Sequence, residues 1–250
     1  MAPPTRIARG TVPTPGRGRS IIGAEVDRGA SDLRRQWLLA NFAAFAVGGA
    51  VAGGALRALE EPYYGVMTSS IQAAYIQAES LGVAAAMFGA LLGVAQWLVL
   101  RRTVRARWWA LGTCLGWGLG GVVMGFNAGG SVSTIGPDSG PVHPLLWLLV
   151  GLPLVVLFLG VVQWLILRRE FRGAKWWLLV NIGGLFVAFA VGFIVARMVP
   201  WLAPTDFPSA GALGLVGAVA GPVYGAITWA YLAELRRREL PSRNAPPTLS

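Results

Sequence analysis

Side chains able to do chemistry are few in this sequence and stand far apart. The chain holds one histidine, His143, and one cysteine, Cys114. A multi-histidine or thiolate metal cluster is therefore excluded, as is an intramolecular disulfide. His143 lies in the polar stretch GPDSGPVHP, where Asp138 is the residue placed to orient it. As an axial ligand it could hold a haem or another pigment near a membrane surface. No other cofactor or metal site is expected, and no nucleophilic triad can be assembled around it locally.

Charged residues avoid the long apolar stretches. Ion-coupled transporters, proton pumps and voltage sensors need ionisable groups inside the membrane despite the cost of burying them. None lies near the centre of any apolar segment here. Arg57 and Arg197 come closest, at the ends of two segments, where snorkelling to headgroups is expected; pairing with Glu60, Glu61 or Glu79 in an outer vestibule is the alternative.

Six uncharged polar residues do sit within apolar segments: Asn41, Gln96, Thr113, Gln163, Asn181 and Thr228. Their amides and hydroxyls suit hydrogen bonds between membrane helices, worth about 0.6 kcal/mol each on average. They also suit a polar ring that binds a lipid headgroup or small solute. A ring requires the six side chains to converge on one axis, and three separate intrahairpin pairs would exclude it.

The elements that must position these residues follow from composition. Of the 250 residues, 55% are hydrophobic and 13% charged, with 34 glycines besides. A soluble domain carries about 25% charged residues. Six apolar spans are expected, at about 37–56, 81–100, 108–127, 145–167, 176–196 and 210–232, each long enough to cross about 30 Å of hydrocarbon as a helix. The fold class expected is all-α, an integral membrane bundle of six transmembrane helices.

Orientation follows from the basic residues, 21 against 11 acidic, for a net charge of +10. Seven arginines precede the first span, and four basic residues each occupy the 101–107 connection, the 168–175 connection and the C-terminal tail. The opposite loops carry only Arg57 and Arg197. By the positive-inside rule both termini are cytoplasmic, and the membrane expected is the bacterial inner (plasma) membrane. Residues 1–32 read as a disordered basic tail, and 239–250 as a second disordered tail. No aromatic interleaves the N-terminal arginines, which excludes a nucleic-acid partner on this reading. The partners expected are the bilayer, anionic headgroups and other membrane proteins.

The chain repeats itself. GVAQWLVLRR at 93–102 returns as GVVQWLILRR at 160–169 and, more weakly, as GAITWAYLAELRRR at 225–238. Gln36-Trp37, Trp108-Trp109 and Trp176-Trp177 open the odd spans. Three helical hairpins result, 33–106, 107–174 and 175–238, with a pseudo-threefold relation expected among them. Trp37, Trp97, Trp108, Trp109, Trp164, Trp176, Trp177 and Trp229 are expected as interfacial anchors. Arg101, Arg102, Arg168, Arg169, Arg236 and Arg237 are expected to contact anionic lipid.

Small residues recur every four positions on the odd spans and precede each polar residue of the even ones, as in Gly93, Gly160 and Gly225. Such faces let membrane helices approach closely. The fourth span departs, with Leu149, Leu152 and Val156, so looser packing or another partner is expected there. Ser69 and Gln72 form a capping box that starts a helix over 70–100, longer than a membrane needs; a break at Gly82, a protrusion clear of the outer surface as a contact site, and a surface cap over the bundle are the readings open for the excess. Pro153 and Pro222 are expected to kink spans four and six.

The repeated QWLVLRR and QWLILRR, with RWW and KWW following, resemble uncharacterised bacterial polytopic membrane proteins built from Trp-rich hairpin repeats. That resemblance covers most of 35–238 and implies architecture, with no activity attached. The three-hairpin count is also similar to that of mitochondrial carriers, but the charged residues those carry after a proline in each odd helix are missing. The function expected is non-enzymatic, through protein or lipid contacts, as an accessory or assembly subunit of a membrane complex. A channel or uniporter for a small neutral solute or lipid is the alternative, and a pigment- or haem-binding subunit the third.

Overall fold

The computed structural model describes residues 18–63, 70–101, 108–135, 152–171, 173–198 and 210–243. All the regular structure among them is helical: α1 (Gly18–Glu60), α2 (Ser70–Leu100), α3 (Trp109–Ile135), α4 (Leu152–Leu167), α5 (Trp177–Met198) and α6 (Ala210–Arg243), with 3₁₀ turns at Glu61–Tyr63 and Ala174–Trp176. The chain divides into two units, one ending at Arg35 and one beginning at Gln36.

Among the described residues, five stretches are long and apolar enough to cross a membrane: Ser31–Glu60, Tyr75–Leu100, Trp109–Phe126, Ala174–Ala196 and Ala210–Arg238. The apolar part of α4, Val155–Leu167, is shorter, and the first residues of the span expected there, 145–151, lie outside the described ones. Large apolar side chains face outward along the helices, at Val83, Met87, Leu91, Val94 and Leu98 of α2 and at Leu111, Leu115 and Leu119 of α3. Stripes of this kind expose far more contiguous apolar surface than a monomer in water tolerates. A multi-pass membrane protein accounts for them.

Within 36–250, consecutive helices pack side by side, and the glycines show how closely. A Cβ at Gly93 would lie 2.8 Å from the Ala110 carbonyl oxygen of α3, one at Gly116 2.7 Å from the Leu159 Cα of α4, and one at Gly192 2.7 Å from the Val216 carbonyl oxygen of α6. The circle closes between the last helix and the first. At Gly221 a Cβ would stand 2.6 Å from the Asn41 carbonyl oxygen, and at Gly49 2.5 Å from that of Leu213. These approaches exclude side chains, and dispersion between backbones replaces the hydrophobic drive that lipid does not supply.

Inside the circle lies a core of Phe45, Phe88, Leu92, Trp117, Val155, Val156, Leu159, Leu185, Ala188, Ala220 and Tyr224, drawn from all six helices. Phe45 is its hub, edge-on to Phe88 at 5.1 Å and tilted against Tyr224 at 5.5 Å. Phe88 in turn meets Trp117 at 4.6 Å, within the range where aromatic pairs gain beyond their buried area.

Several expectations need correction. Residues 18–32 fall within the helical span of α1, and 239–243 within that of α6. Extending an existing helix adds one bond per ordered residue without a new nucleus, and no proline lies between Gly18 and Glu60 to stop it. Span four is neither loose nor turned away: Val155, Val156 and Leu159 are buried, with Leu159 seated on Gly116 and Val155 on Gly120. Large side chains on α4 fit small ones on α3, so the two helices need not both be small. The helix over 70–100 forms without breaking at Gly82. Gly82 meets Val122, and Gly125 meets Ala78, so α3 supports α2 along this length. Ser69 of the capping box lies outside the described residues. α6 is helical through Pro222, and Pro153 lies in α4, of which the residues before Leu152 are outside the described ones.

Candidate functional site

Asn41, Gln96, Thr113, Gln163, Asn181 and Thr228 are all buried, none more than 1% exposed. Each odd helix brings its polar residue four positions after a tryptophan, hence on the same face. Trp37, Trp109 and Trp177 are therefore carried inward with them, at 0%, 0% and 1% exposure.

The bonds link every neighbouring pair of helices. Between α1 and α2, Gln96 Nε2 donates to Asn41 Oδ1 at 2.9 Å. Between α2 and α3, Trp109 Nε1 donates to Gln96 Oε1 at 3.0 Å. Between α3 and α4, Gln163 Nε2 donates to Thr113 Oγ1 at 3.1 Å, and between α4 and α5, Trp177 Nε1 donates to Gln163 Oε1 at 3.1 Å. Between α5 and α6, the Tyr224 hydroxyl donates to Asn181 Oδ1 at 2.5 Å. Trp37 Nε1 closes the circuit from α1 to α6, donating to Thr228 Oγ1 at 3.1 Å. The side chains are held in register by their own helices, since Asn41 Nδ2 donates to the Trp37 carbonyl at 2.8 Å and Asn181 Nδ2 to that of Trp177 at 3.2 Å.

Three separate intrahairpin pairs are thus excluded: side-chain and backbone bonds link the six residues in one network round the bundle, closed between Thr113 and Trp109 by α3, which carries both. Its chemistry is that of neutral dipoles, with no titratable group poised at working pH to move a proton. Every buried nitrogen and oxygen in it has a partner; among the described residues, the buried side-chain atoms without one are Gln77 Oε1 and Trp117 Nε1. Satisfied networks of this kind rigidify a core and fix one arrangement of its helices.

The anchor assignments divide. Trp108 and Trp176 are 53% and 54% exposed, as expected of anchors, and Trp97, Trp164 and Trp229 are half-buried. For Trp37, Trp109 and Trp177 the expectation is corrected: their indole N–H groups are spent on Thr228, Gln96 and Gln163. Trp109 and Trp177 also meet edge-on at 6.0 Å. For Trp109 and Trp177 a signal was present in the sequence, because two adjacent tryptophans at a helix start point about 100° apart and so face different surroundings.

Tyr224 is the member of the circuit that sequence reasoning missed. It stands four residues before Thr228, where the second and fourth helices carry Leu92 and Leu159 before Gln96 and Gln163. Thr228 turns its hydroxyl back to the Tyr224 and Gly225 carbonyls at 2.8 and 3.3 Å, and Tyr224 supplies the donor that reaches Asn181. A tyrosine out of pattern beside a threonine out of pattern was the available clue.

Outside the bundle, the Arg101 guanidinium lies 5.3 Å over the Trp97 ring and that of Arg168 5.1 Å over Trp164. Lys175 lies 5.9 Å from the Trp176 ring centre. Arg169 and Arg237 are exposed and Arg236 half-buried. Arg237 and Arg238 share Glu234, at 3.9 and 2.8 Å. Arg57 is exposed at the other end of α1. Arg102, His143, Asp138 and the side chain of Arg197 lie outside the described residues. No group of His, Cys, Asp and Glu able to hold a metal occurs among the described residues. No family model, curated protein or solved structure matches the chain.

Proposed function

We propose that this chain is a non-enzymatic protein of the bacterial inner membrane that acts through protein or lipid contacts, as an accessory or assembly subunit of a membrane complex. In this reading six helices cross the bilayer as three repeated hairpins about a pseudo-threefold axis, with both termini and the arginine-rich end in the cytoplasm. The observation that carries it is the closed polar circuit. Trp109 to Gln96, Trp177 to Gln163 and Trp37 to Thr228 are one bond in three settings, each joining an odd helix to the even helix of a different hairpin. With the circuit's own groups satisfied and the centre filled by Phe45, Phe88 and Tyr224, the groups among the described residues that face outward to meet other molecules include the apolar stripes and the arginine–tryptophan pairs. Purification of the full chain in mild detergent tests the proposal: a stoichiometric protein partner supports it, and recovery of the chain alone at every detergent strength opposes it.

A channel or uniporter for a small neutral solute or lipid is the second reading. It draws on Trp117 Nε1 and Gln77 Oε1, buried on α3 and α2 without a partner among the described residues, since unsatisfied groups of this kind call for a functional account. Solute flux into liposomes containing only this protein would favour it over the first.

A further inference from the structure

We propose that Arg101 with Trp97, and Arg168 with Trp164, are two seats for the headgroup phosphate of an anionic phospholipid, and that the end of α6 is not a third. The inference rests on the membrane reading above and adds a partner and a stoichiometry. Both arginines stand four residues after their tryptophan, in the turn where the Arg101 and Arg168 N–H groups bond the Trp97 and Trp164 carbonyls at 2.8 Å each. That spacing puts the guanidinium over the indole, at 5.3 and 5.1 Å from the ring centre. Stacking occupies one face of the guanidinium and leaves its in-plane donors free, pre-ordered for a bidentate contact with phosphate oxygens. Among the described residues no carboxylate makes an ion pair with either arginine, and both are exposed. The half-buried indole beneath each sets the depth, because tryptophan settles at headgroup level. A free anion needs no such depth, and a lipid phosphate is held at it.

The sixth helix lacks the device. Four residues after Trp229 stands Ala233; of the arginines that follow, Arg238 and Arg237 are drawn to Glu234, at 2.8 and 3.9 Å, and Arg236 is half-buried. The second seat is also weaker than the first, since the carboxylate of Glu170 is exposed two residues beyond Arg168.

The test is native mass spectrometry of the full chain, delipidated in detergent and titrated with phosphatidylglycerol or, separately, phosphatidylcholine. Two retained phosphatidylglycerols, with phosphatidylcholine lost under the same activation, are expected. Arg101→Gln and Arg168→Gln each reduce the count to one, and the double variant to none. Ala233→Arg combined with Glu234→Gln raises it to three. Unchanged retention in the double variant overturns the proposal, as does equal retention of phosphatidylcholine. Displacement of the lipid by millimolar inorganic phosphate would assign the seats to a free anion and likewise overturn it. A lipid count other than two leaves a stoichiometric protein partner untouched, so failure here is distinguishable from failure of the functional reading.

Discussion

Replacing Gln96 with leucine should open the polar circuit at its busiest point. Gln96 is 1% exposed, donates to Asn41 at 2.9 Å and accepts from Trp109 at 3.0 Å. Gln96→Leu keeps the volume and removes both bonds. Two bonds at the membrane average of about 0.6 kcal/mol give about 1.2 kcal/mol. The stranded Trp109 N–H and Asn41 Oδ1 add to this, at the low end of about 1–3 kcal/mol for an orphaned buried group, because the separated helices are also in lipid. A loss of about 2 kcal/mol is expected, or about thirtyfold in the unfolding equilibrium. Titration of the purified chain with sodium dodecyl sulfate in mixed micelles, followed by far-ultraviolet circular dichroism, measures it. The sharper reading is a double-mutant cycle with Trp109→Phe, which removes the stranded donor. In the Gln96→Leu background that second change should cost at least about 0.5 kcal/mol less than in the wild type. Strict additivity, or a Gln96→Leu protein within about 0.5 kcal/mol of wild type, would refute the reasoning.

Glycine substitutions should divide by what their Cβ meets: Gly221→Ala, 2.6 Å from the Asn41 carbonyl oxygen, should lose about 1–3 kcal/mol in the same titration, whereas Gly183→Ala, with nothing within 4 Å, should be neutral or gain up to about 1 kcal/mol of helix propensity. Brominated lipids should quench single-tryptophan variants retaining Trp108 or Trp176 and spare those retaining Trp37, Trp109 or Trp177, following their exposure; equal quenching of both groups would contradict the buried assignment. A fluorescent protein fused after Ser250 should mature and fluoresce in a bacterial host, and an alkaline phosphatase fused there should stay inactive, if the arginine-rich end is cytoplasmic; the opposite pair of results reverses the orientation.

The local rules fail instructively in the sequence. Helix content and the outward apolar stripes were legible because both are properties of spacing along one chain, 3.6 residues to a turn and about twenty residues to a bilayer. The polar residues stood out as exceptions in apolar surroundings, and their cost in lipid requires partners. Which partners was not legible. Gln96 stands 55 residues from Asn41 and 13 from Trp109, and nothing in its neighbourhood shows that one amide serves both. Trp37 looks like Trp108 in the sequence, within two residues of an arginine at the start of a span. Its partner Thr228 is 191 residues away, and only closure of α6 against α1 makes it a core residue.

What the sequence determined by itself was composition-driven: a helical chain whose apolar surface exceeds what water allows, with its basic residues gathered at one end of the helices. What the tertiary structure alone decided was the assignment of each face. The glycines of α6 meet the backbone of α1, the leucines and valines of α4 meet the glycines of α3, and three tryptophans turn from the surface into the interior. The physical reason is that lipid solvates leucine, valine and the indole ring nearly as well as a protein core does. Periodicity therefore cannot say which apolar face is inside; only the fit of small against large, and of donor against acceptor, does so.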